Sequence, residues 1–279
     1  MKELPKRIIF GVLFAAIVVV GTVVLPPLFH LLMAFAIAWT LHEFFAMSIG
    51  KGGFLAERIL AILSAELLYA FLVLYKTGII TQFSLIAVPF IPVFLLMIIP
   101  IWHKDHSNHG KLAYIFAGLG YIGLPLSLVP VLQYHSGEQD GWLILGLLLT
   151  IWVSDVGAYF IGTALGQKPN SIKLAPAISP KKSIWGLIGA VIFGIGAAIA
   201  FHYLGVFDWP VWHCVAIGAL ASLGGLLGDL VESMWKRFFG VKDSGNLIPG
   251  HGGLYDRLDS AIIALPIITV YLAAAGLLL

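Results

Sequence analysis

Charge is what this chain lacks. Asp, Glu, Lys and Arg make up only 11% of its 279 residues, whereas a water-facing domain of ordinary size carries about 25%. With 60% hydrophobic residues and a mean hydropathy of +0.99, a soluble globular fold is excluded. There is a single cysteine, Cys214, so no internal disulfide can form. Internal repeats, low-complexity tracts and long linkers are missing too, so one polytopic domain spanning residues 1–279 is expected. The first apolar run ends in "VVVGTVVLPP" with no small-x-small cleavage site, which favours a retained anchor over a removed signal. A net charge of +2 gives no reason to expect a nucleic-acid partner.

What the sequence has is long apolar runs. About 20 such residues in a helix cross the hydrocarbon layer, and the pattern predicts an all-α polytopic membrane protein with about nine spans: 8–25, 28–49, 59–75, 78–101, 113–133, 142–165, 184–206, 211–235 and 260–279. Of the sixteen Lys and Arg, fifteen precede the first span or follow an even-numbered one; only Lys76 does not. By the positive-inside rule the N-terminus and the even connectors are expected in the cytoplasm. Residues 1–150 read as mainly hydrophobic helices. The polar signals concentrate in 151–260, above all in the two longest connectors, 166–183 and 236–259.

A carboxylate in hydrocarbon costs about 3 kcal/mol or more, so Asp155, Asp229, Glu232, Glu43 and Glu66 each call for a cavity, a partner or an ion. Asp229, Glu232, Ser233, Lys236 and Arg237 stand at i, i+3, i+4, i+7 and i+8, one face of the eighth helix. A salt-bridge seam between helices is the plainer reading of that stripe. Asp256 and Asp259 repeat the i, i+3 spacing where the ninth span begins. If the two helix ends converge, Asp229, Asp256 and Asp259 would share a divalent ion, and hard oxygen donors suit Mg²⁺. For Asp259, capping of the helix with Ser260 is equally open.

Between those acids runs "IPGHGGLYDRLDS", residues 248–260. Gly250, Gly252 and Gly253 let backbone approach a ligand closely, as wrapping phosphate oxygens requires. Lys236, Arg237, Lys242 and Arg257 bring positive charge to the same region. Carboxylates for a metal, with cations and glycines for phosphate, describe a metal–polyphosphate site. The connector "KLAPAISPKKS" reads as a second stiff, basic loop after Asp155. In "HKDHSNH", His103, His106 and His109 are expected in a solvated turn rather than around zinc, while His42 and Glu43 either line a cavity or pair with each other.

The run from Ser233 through Lys236-Arg237 and Lys242-Asp243 to "IPGHGGLYDRLD" resembles the signature of the phosphatidate cytidylyltransferases, or CDP-diacylglycerol synthases. "SDVGAYFIGTALG" followed by "KLAPAISPKKS" is similar to that family's upstream cytoplasmic region. Two positions depart from its pattern: Trp185 replaces a polar residue, and Trp235 a smaller apolar one or Phe. The resemblance implies that CTP and phosphatidic acid yield CDP-diacylglycerol and pyrophosphate in a bacterial cytoplasmic membrane. It implies Mg²⁺, with a monovalent cation such as K⁺ beside it, held by Asp229 and Asp256 with Asp259. Lys236, Arg237, Lys242 and Arg257 would hold phosphates. Asp155, Ser179, Lys181, Lys182, Ser183, Asp243, Gly250, His251, Gly252 and Gly253 would shape the substrate site.

Expected partners are CTP, phosphatidic acid and the surrounding lipids, with a homodimer open. Such a reaction needs no nucleophilic side chain, only positioning and charge neutralisation. Rival readings are a CTP-dependent lipid kinase, a related transferase with another lipid acceptor, and an ion-coupled transporter.

Overall fold

The computed structural model describes residues 3–50, 53–104, 107–247 and 252–278. Gly250 and His251, with Lys2, Lys51 and His106, lie outside the described residues. The chain is helical apart from one two-stranded hairpin among the described residues.

Its elements are α1 (Glu3–Val19), which runs on through a π-helical turn, α2 (Pro26–Ile49), α3 (Leu55–Lys76), α4 (Ile91–Ile98), α5 (Leu112–Gly118), α6 (Leu124–Ser127) and α7 (Val129–Gln133). There follow α8 (Gly141–Ala164), β1 (Lys173–Ala175), β2 (Ser179–Ser183), α9 (Ile184–Tyr203), α10 (Val211–Phe238) and α11 (Tyr255–Ala274).

Eight helical stretches among the described residues are long and apolar enough to cross a membrane, and a shorter one covers Phe10–Val24. Each of the nine expected spans coincides with one of these to within about five residues, and the chain is an integral membrane protein. Two spans are broken. Pro89, Pro92 and Pro100 divide the fourth into 3-10, α and 3-10 pieces, because proline supplies no N–H to the helical ladder. The fifth carries a π-helical turn at Leu119–Gly123 and prolines at Pro125 and Pro130.

The described chain divides into two compact units: Met1–Gln139 with Val241–Arg257, and Asp140–Gly240 with Leu258–Leu278. In the first, the His30 ring bridges the Tyr69 and Tyr134 hydroxyls at 2.8 and 3.0 Å. His103 does not lie in a merely solvated turn: its Nε2 meets the buried Glu57 carboxylate at 2.7 Å, while His109 reaches the Pro100 carbonyl at 3.1 Å.

The second unit is built on close helix approach. A methyl at Gly157 of α8 would meet Phe193 and the Gly189 carbonyl of α9 at 2.5–2.7 Å, so small residues on both helices let the backbones touch. α10 and α11 meet the same way, with a methyl at Gly224 lying 2.7 Å from the Ala264 Cα. Helix starts are fixed by side chains: Asp140 accepts from Leu143 N–H at 2.8 Å and Ser183 from Gly186 N–H at 3.2 Å, each meeting one of a helix's orphan donors.

The connector expected as a basic loop is instead an antiparallel hairpin, pairing Lys173 with Ser183 and Ala175 with Ser179 across an irregular register. Ala175 and Ser179 each precede a proline, and a residue so placed is driven to extended backbone. The hairpin fixes where Lys182 stands.

Candidate active site

In the second unit, α10 presents Asp229, Glu232, Ser233 and Lys236 along one face, as the spacing predicts. Asp229 and Glu232 each offer a carboxylate oxygen to a group completed by Asp259 of α11, and these atoms lie within 4.8 Å of one another. Two unit charges that close repel by about 3 kcal/mol at an effective dielectric near 20. Cations offset this. Lys182, from β2, meets Asp229 Oδ2 at 2.6 Å, and Lys236 meets Glu232 Oε1 at 2.5 Å.

Neutral donors add less: Ser233 Oγ donates to Asp229 Oδ1 at 3.3 Å, and Ser260 N–H to Asp259 Oδ1 at 2.7 Å. Asp155, on α8, shares a hydrogen bond with the Ser260 side chain and feels the charges of Asp229, Asp259 and Lys182. Four carboxylates therefore face two ammonium groups, a formal excess of negative charge.

The group is exposed at one end. Glu232 is 1% exposed, yet the Asp229 side chain is 42% exposed and Asp155 is exposed too. Close approach of α11 is enforced locally, since a methyl at Gly228 would collide with the Asp259 backbone carbonyl. The donor set is oxygen only and carries surplus charge, which fits a hard divalent cation.

Around this group, Ser183 caps α9, Lys181 offers its carbonyl to Gln167 at 2.9 Å with its side chain exposed, and Ser179 begins β2. Trp185 stands in the first turn of α9, 43% exposed. Arg237 is exposed in the last turn of α10, and Trp235 stacks on Phe239 at 5.8 Å.

Asp256 keeps other company. It lies in the first unit, where its Oδ2 accepts from Ser244 N–H at 3.0 Å, Ser244 Oγ at 2.9 Å and Gly253 N–H at 2.7 Å. Gly252 has φ +87°, a conformation side chains resist, and a methyl there would stand 2.7 Å from the same oxygen. Lys242, Asp243 and Arg257 are exposed on this segment.

A second carboxylate holds the loop from elsewhere: Glu43 of α2 accepts from Tyr255 N–H at 2.9 Å. The sequence leaves Glu43 between lining a cavity and pairing with His42; in the structure it accepts from Trp39, Ser244 and Tyr255. Sequence reasoning places Glu232 in the stripe but not among the oxygens that could share an ion, although the i+3 spacing from Asp229 is the available signal.

The cytidylyltransferase family pattern matches residues 5–275. A protein named phosphatidate cytidylyltransferase from Staphylococcus haemolyticus (strain JCSC1435) is 36% identical over 190 residues, 68% of each chain. One of the same name from Staphylococcus aureus (strain COL) is 36% identical over 189 residues, again 68% of each. That of Bacillus subtilis (strain 168) is 30% identical over 282 residues, covering 98% of this chain and 99% of its own.

Proposed function

The chain belongs to the cytidylyltransferase family, and from that premise we propose that it transfers the cytidylyl group of CTP to phosphatidic acid, releasing pyrophosphate and CDP-diacylglycerol. Residues 1–279 act as one catalytic domain. The observation that carries the reading is the gathering of Asp229, Glu232 and Asp259 oxygens within 4.8 Å, each α10 acid in contact with a lysine.

In the reaction a phosphate oxygen of the lipid, already anionic, attacks the α-phosphorus of CTP, and the bond to the pyrophosphate oxygen breaks. No side chain needs to become covalently attached. Asp229, Glu232 and Asp259 would hold Mg²⁺, with Asp256 as the further ligand the family resemblance implies and K⁺ as the second cation. Bound there, the metal would neutralise phosphate oxygens. Lys182 and Lys236, which stand beside these carboxylates, would offer their ammonium groups to the triphosphate. Arg237, Lys242 and Arg257 add donors for the leaving group. Asp155 would face the substrate beside Asp229 and hold the Ser260 side chain.

The positive-inside distribution supports a cytoplasmic position for the N-terminus and these groups, on the proposed reading at a bacterial inner membrane, where CTP would arrive from water and lipid from the leaflet. The assembly to test is a homodimer.

Purified protein in detergent, given α-³²P-labelled CTP, phosphatidic acid and Mg²⁺, should place label in the lipid phase. Label confined to water-soluble CDP, with a phosphorylated lipid, would replace this reading by a kinase. Full activity of Asp229→Asn or Asp256→Asn would refute the site.

A further inference from the structure

Glu43 sits in the C-terminal half of α2, 5% exposed, within a helix that contributes nothing to the signature. A buried carboxylate persists only where donors meet it, and here they come from two places. Trp39 Nε1–H donates to Oε1 at 2.9 Å, one turn back on the same helix. Tyr255 N–H donates to Oε2 at 2.9 Å and Ser244 Oγ approaches the same oxygen at 3.3 Å.

The loop wraps this group closely. A methyl at Gly245 would meet Oε1 at 2.5 Å, and one at Gly253 would collide with Oε2. Tyr255 itself is fully buried, edge-on to Phe44 at 6.1 Å and to Tyr121 at 6.3 Å. Ser244 ties the two carboxylates into one arrangement, since its hydroxyl also reaches Asp256 Oδ2 at 2.9 Å. Tyr255 opens α11, whose first turns carry Asp256, Arg257 and Asp259.

We infer that Glu43 is a positioning residue for the transfer reaction: from α2 it caps α11 at the Tyr255 amide and fixes Ser244, Gly253 and Tyr255 beside the signature residues of the first turns of α11. This rests on the function proposed above. Glu43 touches no reacting atom; it acts through Tyr255 and Ser244.

The experiment uses full-length protein and three variants. Glu43→Ala removes both acceptors. In Glu43→Gln, one of the two N–H donors must face an NH₂, because a primary amide has a single accepting oxygen. Glu43→Gln/Trp39→Phe removes the competing indole and leaves that oxygen for Tyr255.

Small misplacements of reacting groups cost about 100-fold, so Glu43→Ala and Glu43→Gln should lower kcat by about that factor while the KM for CTP stays within about threefold. The double variant should recover about tenfold of the loss. Hydrogen exchange at the Tyr255 amide should quicken by about tenfold or more in Glu43→Ala, with the middle of α8 unchanged.

Near-wild-type kcat in Glu43→Ala, or no recovery in the double variant, overturns the inference, as does unaltered exchange at Tyr255. If wild-type protein transfers no label to lipid, the proposed reaction falls instead, and the exchange measurement alone decides whether Glu43 anchors the loop.

Discussion

Each unit of the molecule holds a set of carboxylates, and the partners of the two sets differ in kind. Glu43 and Asp256 are met by backbone N–H groups, a hydroxyl and an indole. Asp229 and Glu232 are met by lysines, and together with Asp259 they crowd their oxygens within 4.8 Å. Neutral donors fixed in the backbone cannot leave, so a carboxylate they satisfy serves as part of the frame. Flexible ammonium groups can exchange one anion for another, and carboxylates they balance are ready to take a cation. On the reading proposed above, the distinction separates acids held in place by the frame, among which Asp256 would still lend an oxygen to the ion, from acids whose balancing cations can move.

The comparison breaks most visibly in activity. Asp229→Asn should lower turnover at least about 100-fold, as loss of one charge-stabilising group does elsewhere, while the melting temperature in metal-free buffer stays unchanged; equal losses in both would merge the two sets.

Next comes the divalent ion. Mg²⁺ or Mn²⁺ at a hundredfold excess over its dissociation constant should stabilise the protein by about 2.7 kcal/mol. The shift should vanish in Asp229→Asn and survive in Glu43→Gln, read by thermal unfolding in detergent.

Asp256→Ala removes an acceptor from three donors and should cost about 2 kcal/mol of stability, visible as a fall in melting temperature of about 5 °C. Lys182→Met sharpens the picture from the other side. It should raise KM for CTP about tenfold, the worth of one charge-assisted hydrogen bond, and strengthen Mn²⁺ binding measured without nucleotide. The smallest effect belongs to neither set: a methyl at Gly196 of α9 meets nothing within 4 Å, and Gly196→Ala should stabilise by about 0.5–1 kcal/mol.

Hydropathy made the spans legible because a membrane imposes one length and one composition on every crossing. The α10 stripe was equally legible, since i, i+3 and i+4 positions share a face whatever surrounds them. The hairpin at 173–183 escaped because its strands are short and basic, without alternating apolar residues; its two X-Pro steps were the only local signal. α11 begins at Tyr255 rather than 260, for the polar residues of its first turn look like loop until Glu43 is seen capping the Tyr255 amide. Glu43 itself was undecidable from its neighbours, because the donor that explains it lies 212 residues along the chain.

That separation has a meaning during biosynthesis. At about 5–20 residues per second, a ribosome needs roughly 10–40 s to add Tyr255 after Glu43. Throughout that interval the emerging protein carries, in its second helix, a carboxylate that has the Trp39 indole but still lacks the Tyr255 amide. A chain halted before residue 255 lacks the amide that Glu43 accepts from, so the second helix gains its full set of hydrogen bonds only once α11 has begun.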